Sequence, residues 1–137
     1  MFNPLVSIIV RTKNESFWIG KCLHAIENQL YRNFEIIVVD NNSKDKTLEI
    51  IKDYAEKDPR VSYLNLSRNF GKEIVMIAGL DHVTGAATVI IDADLQDPPE
   101  LIPEMNKLWE EGYDDVYAKR RTRSGESWLK RFTSKQY

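Results

Sequence analysis

The chain has 137 residues, 42% hydrophobic, 10% aromatic and 29% charged, with a formal net charge of −2. This suits one ordinary core and excludes a disordered chain. A single Cys22 excludes an intramolecular disulfide or a cysteine-based zinc site. No apolar run nears the ~20 residues that span a bilayer.

Met1 to Pro4 lead directly into an apolar run, so no signal peptide is expected and a reducing, cytoplasmic setting is the default. Val6 to Val10 read as a strand. Ile19, Cys22, Leu23, Ile26 and Leu30 then recur at helical spacing. Phe34 to Val39 form a second strand, closed by Asp40-Asn41-Asn42-Ser43. Ser43 or Asp45 can cap a helix whose inner face carries Leu48, Ile51 and Ala55. Asp58-Pro59 ends it, and Val61 to Leu66 form a third strand. Ile74, Ile77, Ala78 and Asp81 suggest a third helix, ending near Gly85. Ala87 to Ile91 are nearly all apolar, which predicts a central fourth strand. Pro98 and Pro99 suit the first turn of a fourth helix, with Leu101, Met105, Leu108 and Trp109 on one face. Asp115 to Ala118 suggest a fifth strand.

This alternation, with short right-handed connections, predicts an α/β domain with a mainly parallel sheet and helices on both faces. Ligands of such sheets sit beyond the carboxyl ends of the strands. The polar clusters fall there: Arg11 to Glu15, Asp40 to Ser43, Ser67 to Lys72 and Asp92 to Asp97. No repeat or linker divides residues 1–118. From Lys119 onwards the balance changes: seven Lys/Arg stand against Glu126 alone, so this tail carries +6 and residues 1–118 carry −8. Residues 119–137 are therefore set apart as a basic tail that meets something anionic or forms a solvated basic surface. Trp128, Leu129 and Phe132, interleaved with Lys130, Arg131 and Lys135, suggest an amphipathic helix, either at a membrane interface or packed on the sheet.

The segment Ile91-Asp92-Ala93-Asp94-Leu95-Gln96-Asp97 is the strongest chemical signal. Two carboxylates one residue apart at a strand end can share a divalent cation, and oxygen-only donors favour Mg²⁺ or Mn²⁺. A nucleoside diphosphate would complete the ion's shell. The alternative is that the acids cap the next helix, a role that suits Asp97. Asp40 can accept from a base or ribose, or close a turn with Asn42 and Ser43. Arg68-Asn69-Phe70-Gly71-Lys72 offers cations and a flexible glycine at a strand-to-helix junction. No G-x-G-x-x-G, P-loop or G-x-S-x-G motif occurs. His24 and His82 have no partner suggested by spacing, and Cys22 lies on an apolar helix face.

The set resembles the family 2 glycosyltransferases, a GT-A-fold group that uses nucleotide sugars. The matching segments are Val6 to Val10 with Asn14-Glu15, Ile36 to Thr47, Arg68 to Lys72, and Ile91 to Asp94. Residues 67–137, with Asp92 to Glu100 and Gly125-Glu126-Ser127, resemble the polyprenyl-phosphate hexosyltransferases, such as dolichol-phosphate mannose synthases and bactoprenol glucosyltransferases. Asp40-Asn41-Asn42-Ser43 stands where that family usually has Asp-Asp-Gly-Ser, and only its nucleotide-sugar half is matched, without the acceptor half. The resemblance implies a metal-dependent, inverting transferase with a nucleotide-diphosphate sugar as donor. The implied acceptor is a lipid phosphate, met at the cytoplasmic face of a membrane, and no nucleic acid is involved. By the same resemblance Asp40 contacts the base, and Thr12, Asn14, Glu15, Asn42 and Lys72 line the nucleotide. Asp92 reaches the ribose or a metal-linked water, Asp94 holds the cation and Gln96 orients its outer shell, with Asp92 and Asp94 as the catalytic pair. Arg121, Arg123 and Arg131 hold the acceptor phosphate or the diphosphate. Other readings are a non-catalytic nucleotide-binding module and, more remotely, a receiver-type signalling domain. The receiver needs acids where Arg11-Thr12-Lys13 stand.

Overall fold

A computed structural model describes residues 3–120 and 128–135, the backbone alone for 119, 120 and 128–135. The first strand, β1 (Val6–Thr12), is followed by α1 (Ile19–Glu27), β2 (Phe34–Asp40), α2 (Thr47–Lys57), β3 (Val61–Asn65), α3 (Lys72–Leu80) and β4 (Ala87–Asp92). All pairings among these strands are parallel, in the order β3-β2-β1-β4. The chain therefore steps outward from β1 to β3 and then returns across the sheet to β4. Right-handed crossovers put α1 and α2 on one face and α3 on the other, so the strand order reverses between β1 and β4.

Strand periodicity supplies both cores. Ile9, Ile37 and Val39 form one buried cluster with Val75 of α3, and Leu64, Ala78 and Ile90 pack around it. The alternate residues Ile8, Val10, Ile36 and Val38 are fully buried on the opposite face. There α1 supplies Ile19, Cys22, Leu23 and Ile26, and α2 supplies Ile51. The Tyr54 hydroxyl donates to the Gly20 carbonyl at 3.0 Å, joining α2 to α1. At the amino end of the sheet, Glu35 Oε1 accepts from Ser7 Oγ at 2.6 Å, the Thr84 N–H at 2.8 Å and Thr84 Oγ1 at 2.9 Å.

The parallel α/β arrangement is the one expected. Several details differ. β4 pairs only with β1 among the described residues and is half-buried along most of its length, so it is an edge strand and not a central one. Its apolar run reports burial, whereas strand order comes from the crossovers. The buried stripe of α3 is Val75 and Gly79, not Ile74 and Ile77, which are 47% and 49% exposed. Gly79 has no side chain, and a Cβ there would lie 2.8 Å from Ile9 Cγ2, so the helix turns its smallest face inward. Leu30 lies beyond the end of α1 and is 85% exposed.

Residues 100–137 form a second compact unit. A short 3-10 turn at Pro99–Leu101 leads into α4 (Ile102–Glu110), and β5 (Tyr113–Arg120) pairs antiparallel with β6 (Trp128–Lys135). The expected fifth strand thus belongs to a separate two-stranded sheet. The expected amphipathic helix over Trp128 to Lys135 is a strand. In this segment β-formers such as Trp128, Phe132 and Thr133 satisfy strand pairing as readily as a helical stripe, and the partner β5 decides.

Candidate functional site

The polar ends of β1, β2 and β4 and the start of α3 meet around a cleft of about 100 Å³. Its walls are Arg11, Thr12, Lys13 and Glu15 after β1, Asn41 after β2, Lys72 and Val75 of α3, and Asp92 and Asp94 after β4. The cleft lies where the strand order reverses, the place that a doubly wound sheet leaves open for a ligand.

Backbone conformation is concentrated on the same rim. The described non-glycine residues with positive φ are Asn14, Asn42 and Leu95, at 52°, 59° and 62°, following β1, β2 and β4 respectively. Asn tolerates this region, but Leu does so at a cost of ~1–2 kcal/mol. The Leu95 turn folds the chain back so that the Gln96 N–H donates to Asp94 Oδ1 at 3.2 Å. Gly71, with φ at 87°, makes the corresponding bend before Lys72 and α3.

The charges alternate in sign around the cleft. Arg11 and Asp92 are register partners on β1 and β4, and Arg11 Nε donates to Asp92 Oδ1 at 2.9 Å. Burial, and then the negative charges of Asp94, Asp45 and Asp92, push the Glu15 carboxyl above its usual range. Thr12 is 4% exposed, and its Oγ1 has no hydrogen-bond partner. A buried hydroxyl without a partner on a cleft wall is available to a ligand.

Thr12, Glu15, Lys72, Asp92 and Asp94 are thus brought together as the sequence suggests. Asn14, Asp40, Asn42 and Gln96 are not on the cleft wall. Asp40 is fully buried, with Oδ1 accepting from Ser43 Oγ at 2.5 Å and Oδ2 from the Ser43 N–H at 3.2 Å. Ser43 Oγ also accepts from the Asn14 N–H at 2.8 Å, and Asn14 Oδ1 accepts from the Lys44 N–H at 2.7 Å. These side chains lace two loops together. Asn42 is half-buried and Gln96 is exposed. Arg121 and Arg123 lie outside the described residues, as does the side chain of Arg131. Neither cleft acid caps α4, whose start has no side-chain cap. The expected cap of α2 is Ser43 or Asp45; the cap position is instead Lys46, which makes no side-chain cap bond, while Asp45, one residue earlier, accepts from the Thr47 N–H at 2.9 Å and Ser43 bonds Asp40.

From the sequence Arg11 and Lys13 have no ligand role, although both lie in the polar cluster Arg11 to Glu15, and Asn41 stands there only as a donor beside Asp40. Arg11 gains its meaning from Asp92, 81 residues away, once β1 and β4 pair. Asn41 joins two loops: Nδ2 donates to Asn69 Oδ1 at 2.7 Å, and Oδ1 accepts from the Phe70 N–H at 3.0 Å.

Residues 7–136 match the family described as Glycosyl transferase family 2. The chain belongs to that family. Among its relatives, an uncharacterised glycosyltransferase of Bacillus subtilis, YkcC, is 44% identical over 134 residues, covering 96% of this chain and 42% of the relative. The bactoprenol glucosyl transferase of Shigella phage SfX is 42% identical over 135 residues, covering 96% of this chain and 44% of the relative. The chain therefore spans less than half the length of these family 2 proteins. The mannosyltransferase PcManGT of Pyrobaculum calidifontis, solved with GDP-Man and Mn2+, superposes with a TM-score of 0.63 at 34% identity, over 68% of this chain and 28% of that one. Staphylococcus aureus TarS 1-349 in complex with UDP-GlcNAc gives 0.61 at 28% identity, over 74% of this chain and 32% of TarS. The parallel sheet of this family 2 chain is that of the GT-A glycosyltransferases.

Proposed function

We propose that this chain carries the nucleotide-sugar-binding half of an inverting glycosyltransferase that passes a hexose to a polyprenyl phosphate. The observation that carries the reading is the switch-point cleft. It sets Glu15, Asp92 and Asp94 among Arg11, Lys13 and Lys72. Family membership and the bactoprenol-acting relative support the acceptor class, and the nucleotide sugars in the two structural neighbours support the donor class.

The donor set fits a divalent cation. Burial first, and then the nearby charges of Asp94, Asp45 and Asp92, push the Glu15 carboxyl up, so the cleft is a place where a cation is favoured. Asp92 and Asp94 both line the cleft, and an ion completed by phosphate oxygens takes one or two carboxylates; among the described residues no group of three His, Cys, Asp or Glu side chains could hold a metal by itself. Asp94 would hold it, with Asp92, fixed by Arg11, turned to the ribose or a bound water, and Gln96 beside them. When bound, the cation offsets the charge of the departing diphosphate. Lys72, at the positive end of α3, and Lys13 neutralise the same charge. Thr12 Oγ1 and the loops shaped by Asn14, Asp40 and Asn42 face the nucleoside. The acceptor phosphate oxygen attacks the anomeric carbon as the bond to the diphosphate breaks on the opposite side, which inverts that centre. A phosphomonoester has a second pKa of ~6, so its oxygen is already anionic and needs no general base. Arg121, Arg123 and Arg131 suit that phosphate by charge. A lipid acceptor places the enzyme at the cytoplasmic face of a membrane; none of the described helices is long and apolar enough to cross one.

Calorimetry with GDP and UDP, with Mn²⁺ or Mg²⁺ and with EDTA, tests the site. One nucleotide should bind, at least about tenfold more weakly in EDTA or in Asp94→Asn. Equal affinity in all conditions removes the metal role, and no binding of either nucleotide overturns the reading. Binding without transfer from a nucleotide hexose to polyprenyl phosphate leaves a nucleotide-binding module.

A further inference from the structure

Between β1 and α1 the chain exposes two aromatic rings side by side. Phe17 is 64% exposed and Trp18 37%, their ring centroids 4.9 Å apart at 86°. Neither ring contributes to the core, and neither residue lines the cleft. Lys21 Nζ lies 3.7 Å from the Phe17 centroid and 5.4 Å from that of Trp18. Large rings left in water lower their free energy when something apolar covers them.

The surroundings indicate what covers them. Residues 14–16 are laced to the loop before α2: besides the Asn14–Ser43 and Asn14–Lys44 bonds, the Glu15 N–H donates to Thr47 Oγ1 at 2.9 Å and the Ser16 N–H to Asp45 Oδ2 at 3.3 Å. This lacing sets the loop that carries the exposed Lys44 and Lys46 beside residues 14–16, next to the rings in sequence. The acids of these loops are Glu15, on the cleft wall, and Asp45, whose carboxylate is engaged by Thr47 and Ser16; Glu49 follows on the first turn of α2. Exposed aromatics in contact with Lys21, with Lys44 and Lys46 on the adjoining loop, match an anionic bilayer surface, where rings enter the interface and lysines meet headgroup phosphates. Glu15, a cleft residue, is two positions from Phe17, so the patch and the cleft share the carboxyl rim of the sheet.

We propose that Phe17 and Trp18, with Lys21, Lys44 and Lys46, form a bilayer-docking surface that brings the cleft to a lipid-phosphate acceptor. Its purpose rests on the polyprenyl-phosphate reading, while its chemistry rests on the exposed rings and cations. A docked bilayer covers the rings and leaves the lysines at headgroup depth.

Flotation of the chain with phosphatidylglycerol-containing and pure phosphatidylcholine vesicles tests the surface. Binding is expected to the anionic vesicles, falling as salt rises from ~0.05 to ~0.5 M. Phe17→Ala should weaken it about tenfold and Lys21→Ala about fivefold. With Trp109 and Trp128 replaced by Phe, Trp18 emission should shift to the blue and be quenched by brominated lipid. Flotation unchanged in both Phe17→Ala and Lys21→Ala assigns binding to residues 119–137 and overturns the proposal. So does an unquenched Trp18, or no flotation. Quenching of Trp18 by a soluble hexose without vesicles assigns the rings to a sugar and also overturns it. Nucleotide calorimetry separates the two readings: nucleotide binding without vesicle binding defeats the surface alone, and Trp18-dependent vesicle binding without nucleotide binding defeats the proposed function alone.

Discussion

Glu15 shows how the cleft strains its own residues. Its carboxyl is pushed up first by burial and then by Asp94, Asp45 and Asp92, so the charged form is disfavoured in the folded chain. The folded value lies above the ordinary 4.5, and the resulting destabilisation is therefore absent below pH 4.5 and complete once pH exceeds the folded value. Glu15→Gln should melt above wild type at pH 7, by a few tenths of a kcal/mol for so exposed a site, and the difference should vanish near pH 4. A thermal melt series across that range checks it, and a Gln variant less stable at pH 7 would contradict the account. Asp92, at the end of β4, is met directly by Arg11 of β1. The Asp92–Asp94 spacing announces a site in the sequence, whereas nothing local to either residue shows which acid is paired.

Single positions are tied into elements by close backbone approach. At the amino end of the sheet, the turn from α3 into β4 docks on β1: the Gly85 N–H donates to Ser7 Oγ at 2.8 Å, and Ser7 Oγ donates in turn to Glu35. Although burial alone would raise the Glu35 carboxyl, the hydrogen bonds from Ser7 and Thr84 outweigh it and hold the group below its ordinary value. A Cβ at Gly85 would lie 2.6 Å from the Leu5 carbonyl oxygen and 2.8 Å from the Ser7 nitrogen, both backbone atoms. At Gly79 the clash is with side-chain atoms of the buried Ile9, which give by small shifts in packing more readily than backbone atoms do. Gly85→Ala should therefore cost about 2–4 kcal/mol and Gly79→Ala about 1 kcal/mol, as chemical denaturation would show. The reverse ranking would mean that the turn yields more easily than the core. In sequence Gly79 reads as an interior helix position and Gly85 as the helix end, and neither pattern announces the close approach that the fold makes there.

At the scale of the whole molecule, the core is confined to one unit. Among the described residues, every buried apolar residue except Ile102 belongs to residues 1–99. A chain ending at Pro99 should consequently keep its helical circular dichroism and a single cooperative melt, since it retains all four parallel strands and three of the helices. A gradual, non-cooperative melt would show that residues 100–137 are needed to complete the core.

The alternation of elements, the loops that carry chemistry and the Asp92–Asp94 pair could be read from residue order alone, because periodicity, turn chemistry and charge spacing are local properties. The family resemblance rested on those same local strings. Three features required the fold. The edge position of β4 follows from the return crossover over β2 and β1, which no single segment encodes. Residues 128–135 form a strand because β5 is available to pair with them; their apolar spacing also permits a helix. The Arg11–Asp92 ion pair, the engagement of Asp40 by Ser43 and the Asn41–Asn69 clamp each depend on which loops adjoin across the carboxyl rim. Local patterns mark where polar groups accumulate, and strand pairing decides which of them face the cleft and which are consumed in building it.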